Sequence, residues 1–444
     1  MDTLPLPPHP SLAQYRKRAK ELVRAANSSD PDAVRAWTSE WLQTLARLRG
    51  VTISPFVQGS FDRAVEEIDR RVQEQLASSR ATGFKLADAQ FLIARAHGFK
   101  SWRDFVRHVE GTSREGTGAD RFESAADAIV TGDLPTLQSL LHADPELIRT
   151  RSDREHRVTL LHYVAANGVE DFRQLTPPNA VAIARALLEA GAEVDALADT
   201  YGGGNAQTTM NLLVSSVHPA DAGLQPALVE TLLDFGAAVN GLDDDGSPVM
   251  TALAFGYADA AEALARRGAR IDNVIAAAAL GRVDLVRTIV ADGGVVSPSL
   301  VSLYWLGLSD DPESHVERGL VWACAYGRIK VVELLLEHGI DPAVTDKDGM
   351  TGLHWAAANG HLDVVRLLTE RGAPLEARNR WGGTVLSSTV FFALQHPADW
   401  PRYSEAIEVL VAAGADVGAV EIPTGNEQLD RLLERHGARR GEPA

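Results

Sequence analysis

The chain has 444 residues, 45% of them apolar and 23% charged, with a formal net charge of −17 and one cysteine. That length exceeds what one hydrophobic core sustains, so several domains or a repetitive array are expected, and the ordinary composition excludes wholesale disorder. The acidity excludes nonspecific binding to nucleic acid and attraction to an anionic membrane, both of which depend on Lys and Arg meeting phosphates.

The opening MDTLPLPPHP lacks the basic-then-apolar order of a signal peptide. No apolar run approaches the roughly 20 residues needed to span a bilayer, so a cytoplasmic protein is expected. Residues 1–110 read as a small helical domain, with helical periods at 11–26, 31–48, 60–78 and 86–97. This stretch is rich in aromatics, among them Trp37, Trp41, Phe99, Trp102 and Phe105. Ser101 followed by Asp104 forms a capping arrangement for one more short helix. Arg16, Lys17, Arg18, Lys20 and Arg24 read as a solvated helix face. The Gly/Ser/Thr-rich 111–120 reads as a linker.

Beyond it the chain repeats. VWACAYGRIKVVELLLEHGIDPAVTDKDG from Val321 and HWAAANGHLDVVRLLTERGAPLEARNRWG from His354 align without a gap. Gly339 and Gly372, Leu335 and Leu368, and Gly349 and Gly382 each lie 33 residues apart. Thr351 is positioned to cap a first helix kept thin by Ala356, Ala357 and Ala358. Gly360 ends it, Val364, Val365, Leu367 and Leu368 give a second helix its apolar face, and Gly372 ends that one. One such pair cannot bury its apolar face alone, whereas a stack buries it continuously.

The segment DKDGMTGLHWAAANGHLDVVRLLTERGAPLEA, Asp346 to Ala377, resembles the ankyrin-repeat consensus, with Gly352 where the family has proline. TLLHYVAANG with LLEAGAEVDA, TTMNLLVSS with VETLLDFGAAVNG, and two compact stretches between 247 and 294 are similar to it. The resemblance implies an all-α ankyrin-repeat solenoid over 121–440, of roughly eight units, closed by a charged terminal helix. Insertions are expected near 169–180, 294–315 and 395–403. The phrase FKLADAQFLIARAHGFKSWRDFVRHVE resembles an N-terminal helical element that precedes ankyrin repeats in bacterial proteins.

Chemistry-bearing motifs are scarce. No H-E-x-x-H, C-x-x-C, phosphate-binding loop or nucleophile elbow occurs, so no catalytic residue, metal site or cofactor is assigned. Cys324 reads as a buried, inert thiol. His162 and His354 occupy the repeat's consensus histidine position, where a hydrogen bond across the turn is the usual role. Asp243, Asp244 and Asp245 read as turn formers, because the calcium loop with its distal Glu is missing. The glycines of TYGGGNAQ at 200–207 read as a finger turn.

Ankyrin proteins bind through finger turns and the exposed side of each first helix. The resemblance therefore implies partner contacts at Phe255, Tyr326, Lys347, Met350, Asn359, Arg380 and Trp381, with acidic Asp243, Asp244 and Asp348. Trp and Arg dominate interface energetics. The expected function is a protein-interaction scaffold whose concave finger and first-helix face holds a protein with a basic patch. The alternative is a small-molecule or enzymatic pocket roofed by the insertions, with Tyr304, Trp305, His315, His396, Trp400 and Tyr403. A third reading makes residues 1–110 an effector that the solenoid targets. The oligomeric state is not read from the sequence.

Overall fold

The computed structural model describes residues 3–7, 10–48, 55–78, 83–114, 116–201, 206–293, 312–396 and 400–439. The expected insertion at 294–315, with Tyr304 and Trp305, falls largely outside these residues, as do 397–399 of the insertion at 395–403 and the finger glycines 202–204. Among the described residues the chain is almost wholly helical, and it divides into two compact units, Met1–Ala238 and Val239–Ala444.

The first unit opens with five helices: α1 (Leu12–Ala26), α2 (Ala33–Leu48), α3 (Pro55–Ser78), α4 (Leu86–Ala96) and α5 (Trp102–Thr112). Ser11 and Ser101 accept the free amides at the starts of α1 and α5, as helix starts require. Their apolar stripes close on a core of Tyr15, Leu22, Trp37, Trp41, Ile93, Phe99 and Phe105. Tyr15 meets the Phe105 ring edge-on at 4.8 Å, a favoured aromatic geometry.

The paired elements begin with α6 (Gly118–Thr131) and α7 (Leu134–Ala143). A 3-10 turn at Leu160–Ala165 pairs with α8 (Ala180–Glu189). Then come α9 (Thr209–Leu213), the interposed α10 (Val217–Asp221) and α11 (Gln225–Asp234). Between α8 and α9, Ala198–Asp199 pairs antiparallel with Ala206–Gln207 to form a finger hairpin.

The second unit continues the pairing in α12 (Ser247–Ala254) with α13 (Ala258–Arg266), and α14 (Val274–Ala279) with α15 (Val283–Ala291). It goes on with α16 (Pro312–Ala325) and α17 (Ile329–Glu337), α18 (Gly352–Ala358) and α19 (Leu362–Glu370), and α20 (Val385–Gln395) and α21 (Trp400–Ala412). Helix α22 (Glu427–Arg435) follows. First helices α12, α14, α16, α18 and α20 stack in one row, and second helices α15, α17, α19 and α21 in another. Ala276–Ala279 and Ala356–Ala358 are buried, so small side chains let the first helices approach closely.

Side chains tie one repeat to the next. Asn359 Nδ2 donates to the Ala325 carbonyl at 2.9 Å, and His361 Nε2 lies 3.0 Å from the same oxygen. Gly327, at φ +65°, leaves room for His361, whose ring would sit 2.6 Å from any added Cβ. The consensus histidines cap their own helices. The amides of Thr159 and Thr351 donate to Nδ1 of His162 and His354, each at 3.2 Å. Gly352 stands in place of the family proline for a steric reason: an added Cβ would lie 2.7 Å from Cys324 Sγ.

Candidate functional site

Two finger turns of the second unit are each built around one side chain. Asp346 Oδ1 accepts from the amides of Asp348 and Met350 at 2.9 Å, and its Oδ2 accepts from Trp355 Nε1 at 2.8 Å. One repeat on, Asn379 Oδ1 accepts from the amides of Trp381 and Gly383 at 3.0 Å. The same loop thus forms twice with Asp or Asn at its root, a role both side chains fill readily. The Arg380 amide donates to the Asp348 carbonyl at 2.9 Å, joining the two fingers.

At the tip of the second finger Trp381 is 69% exposed. Arg380 lies against it, with its guanidinium carbon 5.0 Å from the ring centre and its Nη1 donating to Asp348 Oδ1 at 2.7 Å. Lys347 is exposed on the neighbouring finger. Four of the expected contact residues, Lys347, Asp348, Arg380 and Trp381, therefore share one pair of fingers.

The others are dispersed or occupied. Phe255 is half exposed and stacks on Tyr257 with ring centres 6.4 Å apart. Asp243 and Asp244 sit exposed on an earlier finger, where Asp244 pairs with Arg270. Tyr326 is half-buried and donates its hydroxyl to the Leu253 carbonyl; burial raises its pKa. Asn359 makes the repeat-to-repeat bond described above. Met350 is corrected outright: it is buried, its sulfur accepts from Asn379 Nδ2, and it offers nothing to a partner. In the second unit two exposed apolar side chains were not read from the sequence, Leu242 beside Asp243 and Phe391 on α20. Phe391 hides in the apolar string TVFFALQ, where nothing distinguishes the outward phenylalanine.

Of the residues raised for a roofed pocket, His315 and Tyr403 are buried, and the Arg402 guanidinium lies 4.9 Å from the Tyr403 ring centre. No group of three or more His, Cys, Asp or Glu able to hold a metal ion occurs among the described residues. No described helix is long and apolar enough to cross a membrane. Cys324 is a buried free thiol whose pKa burial raises.

A second polar centre lies inside the first unit. Arg154 Nη1 reaches Glu123 and Glu170, both at 2.6 Å. Arg173 reaches Glu123 at 2.8 Å and Asp127 at 2.7 Å. Tyr163 donates its hydroxyl to Glu170 at 3.2 Å, and His108 stands 3.4 Å from Asp153 and 3.7 Å from Glu123. Burial opposes the charge on Glu123, but the guanidiniums of Arg154 and Arg173 prevail and hold its carboxyl down at about 2. Glu170 is likewise held well below the usual carboxylate range, against its burial, by the same pair. Glu170 and Arg173 come from the insertion at 169–180, which makes a 3-10 turn at Asp171–Arg173. His108 comes from α5 and Glu123 from α6, so the centre joins the N-terminal helices to the first paired elements.

The paired helices, the finger turns and the capping histidines define a helical repeat array. Residues 320–369 and 353–392 match the family model described as ankyrin repeats (many copies). Residues 320–392 thus carry ankyrin repeats. Ankyrin repeats are in general protein–protein interaction modules. Comparison with curated proteins gave no match.

Proposed function

We propose that the finger and first-helix face of residues 239–439 holds a protein partner, with Trp381 as the central anchor and Phe255 and Phe391 as further apolar contacts. The observation that carries this reading is the exposure of Trp381 on a finger whose backbone and flanking arginine are both fixed. A fixed aromatic loses little conformational freedom when a partner covers it, so more of its burial energy appears as affinity. Truncating such an anchor costs about 2 kcal/mol or more.

Asp243 and Asp244 on one finger and Asp348 on another supply the acidic rim of this face. The partner in this reading presents a basic segment, which also sets the rate of encounter. The encounter belongs in the cytoplasm; a single buried cysteine supports a compartment in which the fold needs no disulfide. The test is affinity enrichment from the native lysate with the tagged parent and with Trp381→Ala. A protein recovered reproducibly by the parent and depleted at least tenfold with the variant supports the reading. Equal recovery by both counts against it.

A further inference from the structure

Charge is divided unevenly along the chain. Residues 1–112, up to the end of α5, hold 17 Lys and Arg against 13 Asp and Glu, whereas residues 113–444 hold 26 against 47. Helix α1 holds five of those 17 cations and a single acid, Glu21, which equals the whole positive excess of the N-terminal helices. Arg16, Lys20 and Arg24 recur every fourth residue, so they fall within about 80° of one another on the helix and form a ridge with a step of about 6 Å. All three are exposed, as is Lys17 beside them. Among the described residues none of the three forms an ion pair. The pairs made by α1 are those of Lys17 and Arg18 with Glu21, and of Arg18 with Glu40 on α2.

The ridge has a fixed backing. Ser11 caps the start of α1, and Tyr15, Ala19 and Leu22 on the opposite side are buried in the helical core. Tyr15 also meets the His97 ring edge-on at 5.2 Å. A helix packed in this way presents its cations in a set register, which lowers the ordering cost of association.

The surroundings discriminate among anions. A bilayer holds a surface helix firmly when apolar side chains enter the acyl boundary, and those of α1 are committed to the core. An extended nucleic acid would run past a ridge about 12 Å long onto a chain whose remainder is strongly acidic. The exposed residues of α1 are Ala13, Gln14, Arg16, Lys17, Lys20 and Arg24, so no aromatic stands among them to stack on bases. A short acidic protein segment matches both the length of the ridge and its sign.

We propose that the Arg16–Lys20–Arg24 ridge is a second docking surface, which takes an acidic helix of a partner protein with carboxylates at every fourth residue. Exposed ion pairs are individually weak, so recognition comes from matching several at one spacing, and it is sensitive to salt.

The test uses the full chain and a fluorescein-labelled helical peptide of roughly 18 residues, with Glu at every fourth position on an alanine and glutamine background. A second peptide of the same composition spreads its glutamates around the helix. Anisotropy titration compares the parent with the triple variant Arg16→Gln, Lys20→Gln and Arg24→Gln. A control variant loses the same charge from other helices through Arg35→Gln, Arg47→Gln and Arg103→Gln, and thermal midpoints verify that all three chains fold. Saturable binding of the patterned peptide is expected, about tenfold weaker in the ridge variant, unchanged in the control variant and weaker for the scattered peptide. No binding, or binding indifferent to the ridge or to the pattern, overturns the proposal. Tighter binding of a short duplex DNA or of phosphatidylserine vesicles to the ridge overturns it in favour of those anions. Sedimentation showing self-association that the ridge variant abolishes overturns it in favour of a second copy.

Discussion

Arg380 holds its guanidinium carbon 5.0 Å from the centre of the Trp381 ring while Nη1 donates to Asp348 on the neighbouring finger. The arginine is thus anchored at one end and supports the indole at the other, a cation–π contact worth about 0.5–1 kcal/mol at an exposed site. Removing Asp348 releases the arginine but leaves the tryptophan in place. Asp348→Ala is expected to weaken partner binding a few-fold and to leave the thermal midpoint within about 0.5 kcal/mol equivalent of the parent. Arg380→Lys keeps the charge, loses the planar stacking, and should weaken binding to a similar degree. Titration of both variants with the captured partner checks this.

Acidic fingers facing a basic partner should make association fast at low salt and slower as salt screens them. Stopped-flow association rates are expected to fall between about 0.05 and 0.5 M salt, with dissociation rates changing much less. An association rate that ignores salt counts against the acidic rim as the steering element.

Gly352 and Cys324 form a steric pair between adjacent first helices. Gly352→Ala should destabilise the chain by about 1–3 kcal/mol, because a Cβ 2.7 Å from sulfur forces a shift in a packed core. Combining it with Cys324→Ala should recover part of that loss, with a coupling of about 0.5–3 kcal/mol in a double-mutant cycle. Equilibrium denaturation of the four chains measures it. Proline, the family's usual residue here, meets the same obstruction.

The Arg154 centre should behave as a buried ion network. Arg154→Met removes the closer of the two arginines that Glu123 and Glu170 share, leaving Arg173 alone to balance both, and is expected to cost about 3–5 kcal/mol. Adding Glu170→Gln to Arg154→Met removes one of the two carboxylate charges and should restore part of the stability. Thermal unfolding of the single and double variants provides the comparison.

Acidification should destabilise the first unit in two stages. Burial holds the His97 pKa down at about 3 and the His162 pKa at about 4, against an ordinary value of 6.5. The unfolded chain therefore binds protons that the folded chain refuses. Their stabilising contribution is complete above pH 6.5 and falls away as the pH drops toward those folded values. Glu123, held at about 2 against an ordinary 4.5, then loses its contribution between those two values. Midpoints recorded from pH 7 to 3 should fall throughout, and His97→Asn should flatten the slope just below 6.5.

Much of this was legible in the sequence. The helical periods near 11–26 and 31–48 became α1 and α2 because their apolar spacing matches one face of a helix. Thr351 and His354 became a capping pair because that spacing has one good hydrogen-bonding solution. Trp381 was legible as a costly aromatic in a polar turn, though its outward pose depends on Asn379 and Arg380 together. Met350 was misplaced because a finger residue and a buried plug differ only in which way one side chain turns. The Glu123–Arg154–Glu170–Arg173 centre escaped notice because its members are spread over 51 positions and each looks like an ordinary surface charge. Only the 3-10 turn in the 169–180 insertion brings Glu170 and Arg173 to the other two.

Whether Trp381 anchors a partner on the finger face is decided by calorimetric titration of the captured partner against the parent and Trp381→Ala. An affinity about 30-fold weaker for the variant, corresponding to about 2 kcal/mol, is expected with an unchanged thermal midpoint. Equal affinity for the two chains would contradict it.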